Sequence, residues 1–76
     1  MSDITKDLDT SGLNCPMPIL RAKKALKELE AGDILRITAT DPGSVKDFEA
    51  FAKQTGNELL ASTSEGDSFI FELKKS

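Results

Sequence analysis

Five glycines, Gly12, Gly32, Gly43, Gly56 and Gly66, cut the 76-residue sequence into short segments, and the apolar periodicity changes at each cut. Thr5 to Asp9 is short and charged, the pattern of a weak edge strand. Pro16 to Glu30 carries Ile19, Ala22, Leu26 and Leu29 at helical spacing. A proline is tolerated in the first turn of such a helix, and Gly32 suits the position just past its end. Ile34 to Thr40 alternates Leu35, Ile37 and Ala39 with Arg36, Thr38 and Thr40, as a strand with one wet face does. Asp41-Pro42-Gly43 is turn chemistry, and Ser44 with Asp47 reads as an N-terminal capping box. The helix that follows buries Val45, Phe48 and Ala52, carries Phe51 on its flank and stops at Gly56. Leu59 to Ser64 and Ser68 to Leu73 form a hairpin across Glu65-Gly66-Asp67.

The element order is therefore βαβαββ. The last segment, with Phe69, Ile70, Phe71 and Leu73, is the strand richest in apolar residues and is expected at the centre of the sheet. Ala61-Ser62-Thr63-Ser64 is expected at an edge. Only one sheet face is apolar, so both helices must cover that face: an α/β chain of α+β type, two helices on four strands in a two-layer sandwich. A βαβ unit makes its two strands parallel. Loops after the carboxyl ends of parallel strands form the usual binding edge of an open sheet. That places Cys15 and Asp41 on one edge.

A domain near this size buries only about 60% of the surface its unfolded chain exposes, which leaves no room for a deep pocket beside the core. No large cofactor is expected, and function is expected at the surface. The net charge of −3 argues against non-specific nucleic-acid binding, and no apolar run approaches the ~20 residues of a membrane helix. Met1 to Thr5 has neither the basic nor the apolar region of a secretory leader, so a cytoplasmic location is expected. The sequence has one cysteine and no histidine. An internal disulfide, a Cys-His nucleophile pair and an imidazole metal site are thereby excluded, and too few ligands remain for zinc. The protein is expected to work without metal or cofactor, and self-contained acid–base or metal catalysis is not expected.

Cys15 is consequently the residue to explain. A lone cysteine often serves as a small buried hydrophobe. Cys15, however, stands in Leu13-Asn14-Cys15-Pro16-Met17-Pro18, at the start of a helix rather than within one. Free backbone N–H groups and the helix dipole favour a thiolate, or a persulfide anion, at such a place. Pro16 and Pro18 fix the backbone of the first turn but remove two donors, and a nearby Asp41 carboxylate would oppose the thiolate. The balance is a moderate activation, which suits a thiol charged by another protein better than a peroxidase or protease.

The outer face of the same helix supplies a second signal. At about 100° per residue, Arg21, Lys23, Lys24 and Lys27 spread around the outer surface, and Met17 and Leu20 point outward near Cys15. A solvated charged face accounts for such a distribution. Four basic residues within seven positions of an acidic chain nevertheless point to a partner-docking surface. Lys27, about 18 Å along the axis from Cys15, lies too far away to activate the thiol. Asp41 is a turn residue first, and joins the docking set through its place on the edge.

Gly12-Leu13-Asn14-Cys15-Pro16-Met17-Pro18, opening a basic amphipathic helix, resembles the Cys-Pro-x-Pro signature of the TusA/SirA-like sulfur carriers. The resemblance takes in Leu8-Asp9, the Asp41-Pro42 turn and the βαβαββ order, and so covers essentially the whole chain. It implies one domain over residues 1–76 and a mixed sheet of order 1-2-4-3 with strand four antiparallel. It also implies that Cys15, in a motif with Pro16 and Pro18, accepts sulfane sulfur as a persulfide from a cysteine desulfurase or a rhodanese. The acceptor it implies is another relay protein, leading to tRNA 2-thiouridine, molybdenum-cofactor assembly or sulfur oxidation. Some members of the tRNA branch carry an acidic residue between the prolines, where this chain has Met17. No membrane and no direct nucleic-acid partner is expected, and the protein is expected to be a monomer. The residues alone leave two further readings open: a non-carrier module that binds protein or RNA through the basic helix, and a redox sensor that dimerises through Cys15.

Overall fold

Strands whose side chains alternate between apolar and polar can bury one face only, and this chain spends that face on both helices. A computed structural model describes residues 4–14 and 17–76. The elements are β1 (Lys6–Thr10), α1 (Met17–Lys27), β2 (Ile34–Ala39), α2 (Ser44–Thr55), β3 (Glu58–Glu65) and β4 (Ser68–Lys74). The sheet order is β1-β2-β4-β3, with β1 parallel to β2 and the other pairs antiparallel. The apolar β4 is internal and the Ala61–Ser64 stretch lies on an edge strand, as their compositions required.

Leu35, Ile37 and Ala39 of β2 stand opposite Leu73, Phe71 and Phe69 of β4, and all of these except the half-buried Phe69 are closed to solvent. From α2, Phe48 stacks on Phe71 with ring centroids 4.7 Å apart and meets Phe51 edge-on at 6.3 Å. From α1, Ala22, Ala25 and Leu26 complete the core. The opposite sheet face carries the Arg36–Asp7 pair, with Nε to Oδ1 at 2.6 Å, and that contact raises the guanidinium pKa. No helix among the described residues is long and apolar enough to cross a membrane.

Three local expectations are corrected. The helix expected over Pro16 to Glu30 is Met17–Lys27, and Pro16 lies outside the described residues. Glu28 and Leu29 continue in tighter turns, donating to the carbonyls of Ala25 and Leu26 at 3.0 and 3.1 Å. Lys75 Nζ donates to the carbonyls of Leu26 and Leu29 at 2.7 and 2.5 Å, satisfying acceptors that the end of α1 leaves open. Gly32 is therefore not the residue after the helix. It sits in the next turn at φ +94°, its N–H donating to the Lys75 carbonyl at 2.7 Å.

The Ser44–Asp47 capping box is also absent. Gly43 is the N-cap, and Ser44 is the first helical residue. Its buried hydroxyl donates backward to the Asp41 carbonyl at 2.6 Å instead of accepting from the helix. Finally, the hairpin is tighter than the three-residue connection expected. Glu65 pairs with Ser68, so only Gly66 and Asp67 turn the chain, with φ +59° at Gly66. A register shift between Leu59 and Ala61 bulges Leu60 out of the edge strand and leaves it 40% exposed.

Candidate functional site at the parallel-strand edge

Because β1 and β2 are parallel and Thr10 stands opposite Ala39, the connections 11–16 and 40–43 leave the same end of the sheet. This is the edge expected to gather Cys15 and Asp41. Cys15 and Pro16 fall in the first connection, outside the described residues, so the geometry available is that of the residues flanking them.

Two threonines at the ends of the parallel strands hold that connection. Thr10, fully buried, donates its hydroxyl to the Thr38 carbonyl at 2.7 Å. The Gly12 N–H donates to Thr40 Oγ1 at 2.8 Å, tying the two connections together. Gly12 has φ +81°, a conformation that favours glycine. The Leu13 N–H returns to the Thr10 carbonyl at 3.1 Å, and the Ser11 N–H donates to Asp9 Oδ1 at 2.9 Å. Hydrogen bonding to Ser11 holds the Asp9 carboxyl below its ordinary pKa. The Met17 N–H, at the start of α1, donates to the Asn14 carbonyl at 2.8 Å. Thr10 and Thr40 were missed by the sequence reading. The signal was there in two threonines, one ending β1 and one just past β2, but the register that sets Thr10 opposite Ala39 was not.

The helical half of the motif divides its residues between core and solvent. Pro18 is fully buried, so it anchors the first turn of α1 as well as stiffening it. Met17 and Leu20, 39% and 52% exposed, leave two large apolar side chains in solvent within the first turns of α1. Arg21, Lys23, Lys24 and Lys27 are all exposed, but they do not share one patch. Arg21 and Lys24 border a hollow on the β1 side, where Lys6 Nζ meets Glu28 Oε1 at 2.5 Å and holds that carboxyl below its usual pKa. Lys23 and Lys27 border a groove on the α2 side. Asp41 is half-buried, and its Oδ1 accepts from the Gly43 N–H at 3.1 Å while its carbonyl accepts from the Ser44 N–H at 2.9 Å. It is built into the turn, as Asp-Pro-Gly chemistry requires. Among the described residues no group of three or more His, Cys, Asp or Glu could hold a metal ion.

The family model described as Sulfurtransferase TusA matches residues 6–75, and with them the whole motif. The chain belongs to the TusA family. It is 63% identical to the sulfur carrier protein TusA of Allochromatium vinosum over the full length of both chains. It is 51% identical to the putative sulfur carrier protein YrkI of Bacillus subtilis, over 92% of this chain and 93% of that one. The putative sulfur carrier protein YrkF of the same organism is 49% identical over 99% of this chain but only 40% of its own length, so a TusA unit also occurs inside a longer protein. A crystal structure of a SirA-like protein from Desulfitobacterium hafniense shares the fold, with a TM-score of 0.80 and 27% identity over 91% of this chain and 95% of that one. The TusA family and the sheet order that the Cys-Pro-Met-Pro motif implied both hold.

Proposed function

We propose that this TusA-family protein is a one-domain sulfur carrier that holds sulfane sulfur as a persulfide on Cys15 and passes it to a partner protein. The observation that carries this reading is the family match across residues 6–75, which includes the Cys15-Pro16-Met17-Pro18 motif, running from the connection after β1 into α1. The Cys15 thiolate attacks the terminal sulfur of a donor persulfide. One S–S bond forms as the donor's breaks, the donor leaves as a thiolate, and the proton stays on the transferred sulfur. Delivery repeats the step with an acceptor thiolate as attacker. Neither step requires an oxidant, a metal or an imidazole base, in keeping with a sequence that has no histidine. The donor is a cysteine desulfurase or a rhodanese, the acceptor another relay protein, and the setting the cytoplasm. Pro16 and Pro18 stiffen the motif, while Met17, Leu20, Arg21, Lys23, Lys24, Lys27 and Asp41 belong to the separate surfaces that partners meet.

Intact-mass measurement of the full chain tests this. Incubation with a cysteine desulfurase and cysteine, or with a rhodanese and thiosulfate, is expected to add one sulfur atom that dithiothreitol removes. If neither donor adds sulfur, the carrier reading is wrong.

The docking role has its own expected result. Met17→Glu with Leu20→Glu places two carboxylates where a partner would bury apolar surface. Loading from the desulfurase is expected to slow by at least about tenfold, equivalent to about 1.4 kcal/mol of lost contact. Loading from glutathione persulfide, which needs no docked protein, is expected to stay at the wild-type rate. Equal slowing of both would assign the effect to the thiol and not to docking.

A further inference from the structure

Between α1 and α2, at the end of α1 away from the motif, lies a groove of about 190 Å³. Leu26 and Phe51 form its apolar floor, Thr55 lies along one wall, and Lys23, Lys27 and Lys75 stand around it. No carboxylate lines it. In a protein of net charge −3 this is a local concentration of positive charge over an apolar surface. The polar wall is already satisfied internally, since the Thr55 hydroxyl donates to the Phe51 carbonyl at 2.8 Å and accepts from Asn57 Nδ2 at 2.9 Å. Lys75 is committed to the carbonyls of Leu26 and Leu29. Lys23 and Lys27 make no ion pair among the described residues.

Helix electrostatics account for Lys27, which stands in the last turn of α1 where a cation is favoured. They do not account for Lys23, which is mid-helix. Nor do they account for a groove between the two that narrows onto the nearly closed Leu26 and Phe51. Sites for small organic ligands usually enclose about 300–1,000 Å³, so this groove is too small for one and suits a single side chain.

We propose that the groove is a second docking point, which takes an acidic segment of the sulfur-exchanging partner and seats one apolar side chain of that segment between its carboxylates. The apolar side chain packs between the aliphatic stems of Lys23 and Lys27, over the narrow strip that Leu26 and Phe51 leave exposed, and the carboxylates pair with the two ammonium groups. Lys27 lies ten residues beyond Met17, about 15 Å along the helix. A partner that engages both the Met17–Leu20 surface and the groove therefore grips α1 at two points, within the breadth of an ordinary interface. Two points fix the direction in which the helix, and the motif at its start, faces the partner. One point would leave it free to swivel. The partner's identity as a donor or acceptor of sulfur rests on the carrier reading; the groove and its preference do not.

The test uses the full chain labelled with ¹⁵N and the blocked peptide acetyl-Asp-Glu-Phe-Glu-Asp-amide as probe. Saturable shifts are expected at the amides of Phe51, Thr55 and Asn57, with none at Met17 and Leu20. Replacing the peptide's phenylalanine by alanine is expected to abolish saturation. Lys23→Glu with Lys27→Glu is expected to weaken binding at least tenfold, and Lys23→Arg with Lys27→Arg to restore it. Both lysines are exposed, so the shift dispersion of each variant serves to show that it is folded. Equal binding of the alanine peptide, shifts confined to the Arg21 and Lys24 side, or no shifts at all would overturn the proposal. A Cys15→Ser chain is expected to bind the peptide as wild type does, so a failure of sulfur loading and a failure of the groove are read separately.

Discussion

Cys15→Ser is expected to remove sulfur loading entirely, with no mass gain under conditions that add one sulfur atom to the wild-type chain. Thiol–disulfide exchange runs through the thiolate, and a serine hydroxyl stays protonated at neutral pH unless a base activates it. No imidazole exists to do so, because the sequence has no histidine. Nor can another sulfur stand in. The only others are the thioethers of Met1 and Met17, which cannot carry a persulfide. The loss is therefore expected to be complete and not a reduction in rate. Unfolding by urea, followed in parallel, is expected to show a folded chain, which separates missing chemistry from missing structure. Sulfur retained by the Cys15→Ser chain after desalting would place the cargo elsewhere and sink the persulfide reading.

Legibility followed the range of the interactions involved. β2 was readable because burial repeats every second residue: Leu35, Ile37 and Ala39 are all closed to solvent, and the residues between them are not. The internal place of β4 was readable from Phe69, Ile70, Phe71 and Leu73 for the same reason. The end of α1 was not readable. It is set by Lys75, 49 residues after Leu26, whose ammonium takes the carbonyls of Leu26 and Leu29. No local pattern announces such a contact. The start of α2 failed differently. Ser44 and Asp47 have cap spacing, but the Asp41 carboxylate takes the Gly43 N–H first, which moves the cap back by one residue.

The site shows the same division. The Cys15-Pro16-Met17-Pro18 motif is visible in residue type and spacing, and the exposure of Met17 and Leu20 follows from helical geometry. The Gly12–Thr40 and Thr10–Thr38 bonds depend on the register of two strands about 30 residues apart in sequence, which a reading of one segment at a time does not contain. The groove beside Leu26 and Phe51 is invisible to it altogether, since Leu26 reads as one position of an apolar stripe and Phe51 as the flank of the second helix, with nothing to bring them together.

Phe48→Ala is expected to cost about 3–5 kcal/mol, the usual penalty for emptying a buried aromatic site. Phe48 is closed to solvent, stacks on Phe71 at 4.7 Å and meets Phe51 at 6.3 Å, so its removal strips two aromatic contacts and opens a cavity between α2 and the sheet. At about 0.05–0.15 kcal/mol per residue, a chain of this length has about 4–11 kcal/mol in all, so one such loss takes about a quarter of it or more. Urea unfolding reads the cost as a lower midpoint. Leu60→Ala, at a bulged position 40% exposed, is expected to move the midpoint far less. A shift no larger for Phe48 than for Leu60 would mean that the core is not organised around the Phe48–Phe71 stack. The same variant separates chemistry from presentation. A thiol in a loosened chain still reacts with glutathione persulfide, whereas a protein donor must meet α1 held against α2 and the sheet. Loading of Phe48→Ala from the desulfurase is therefore expected to fall as the folded fraction falls, while loading from glutathione persulfide does not.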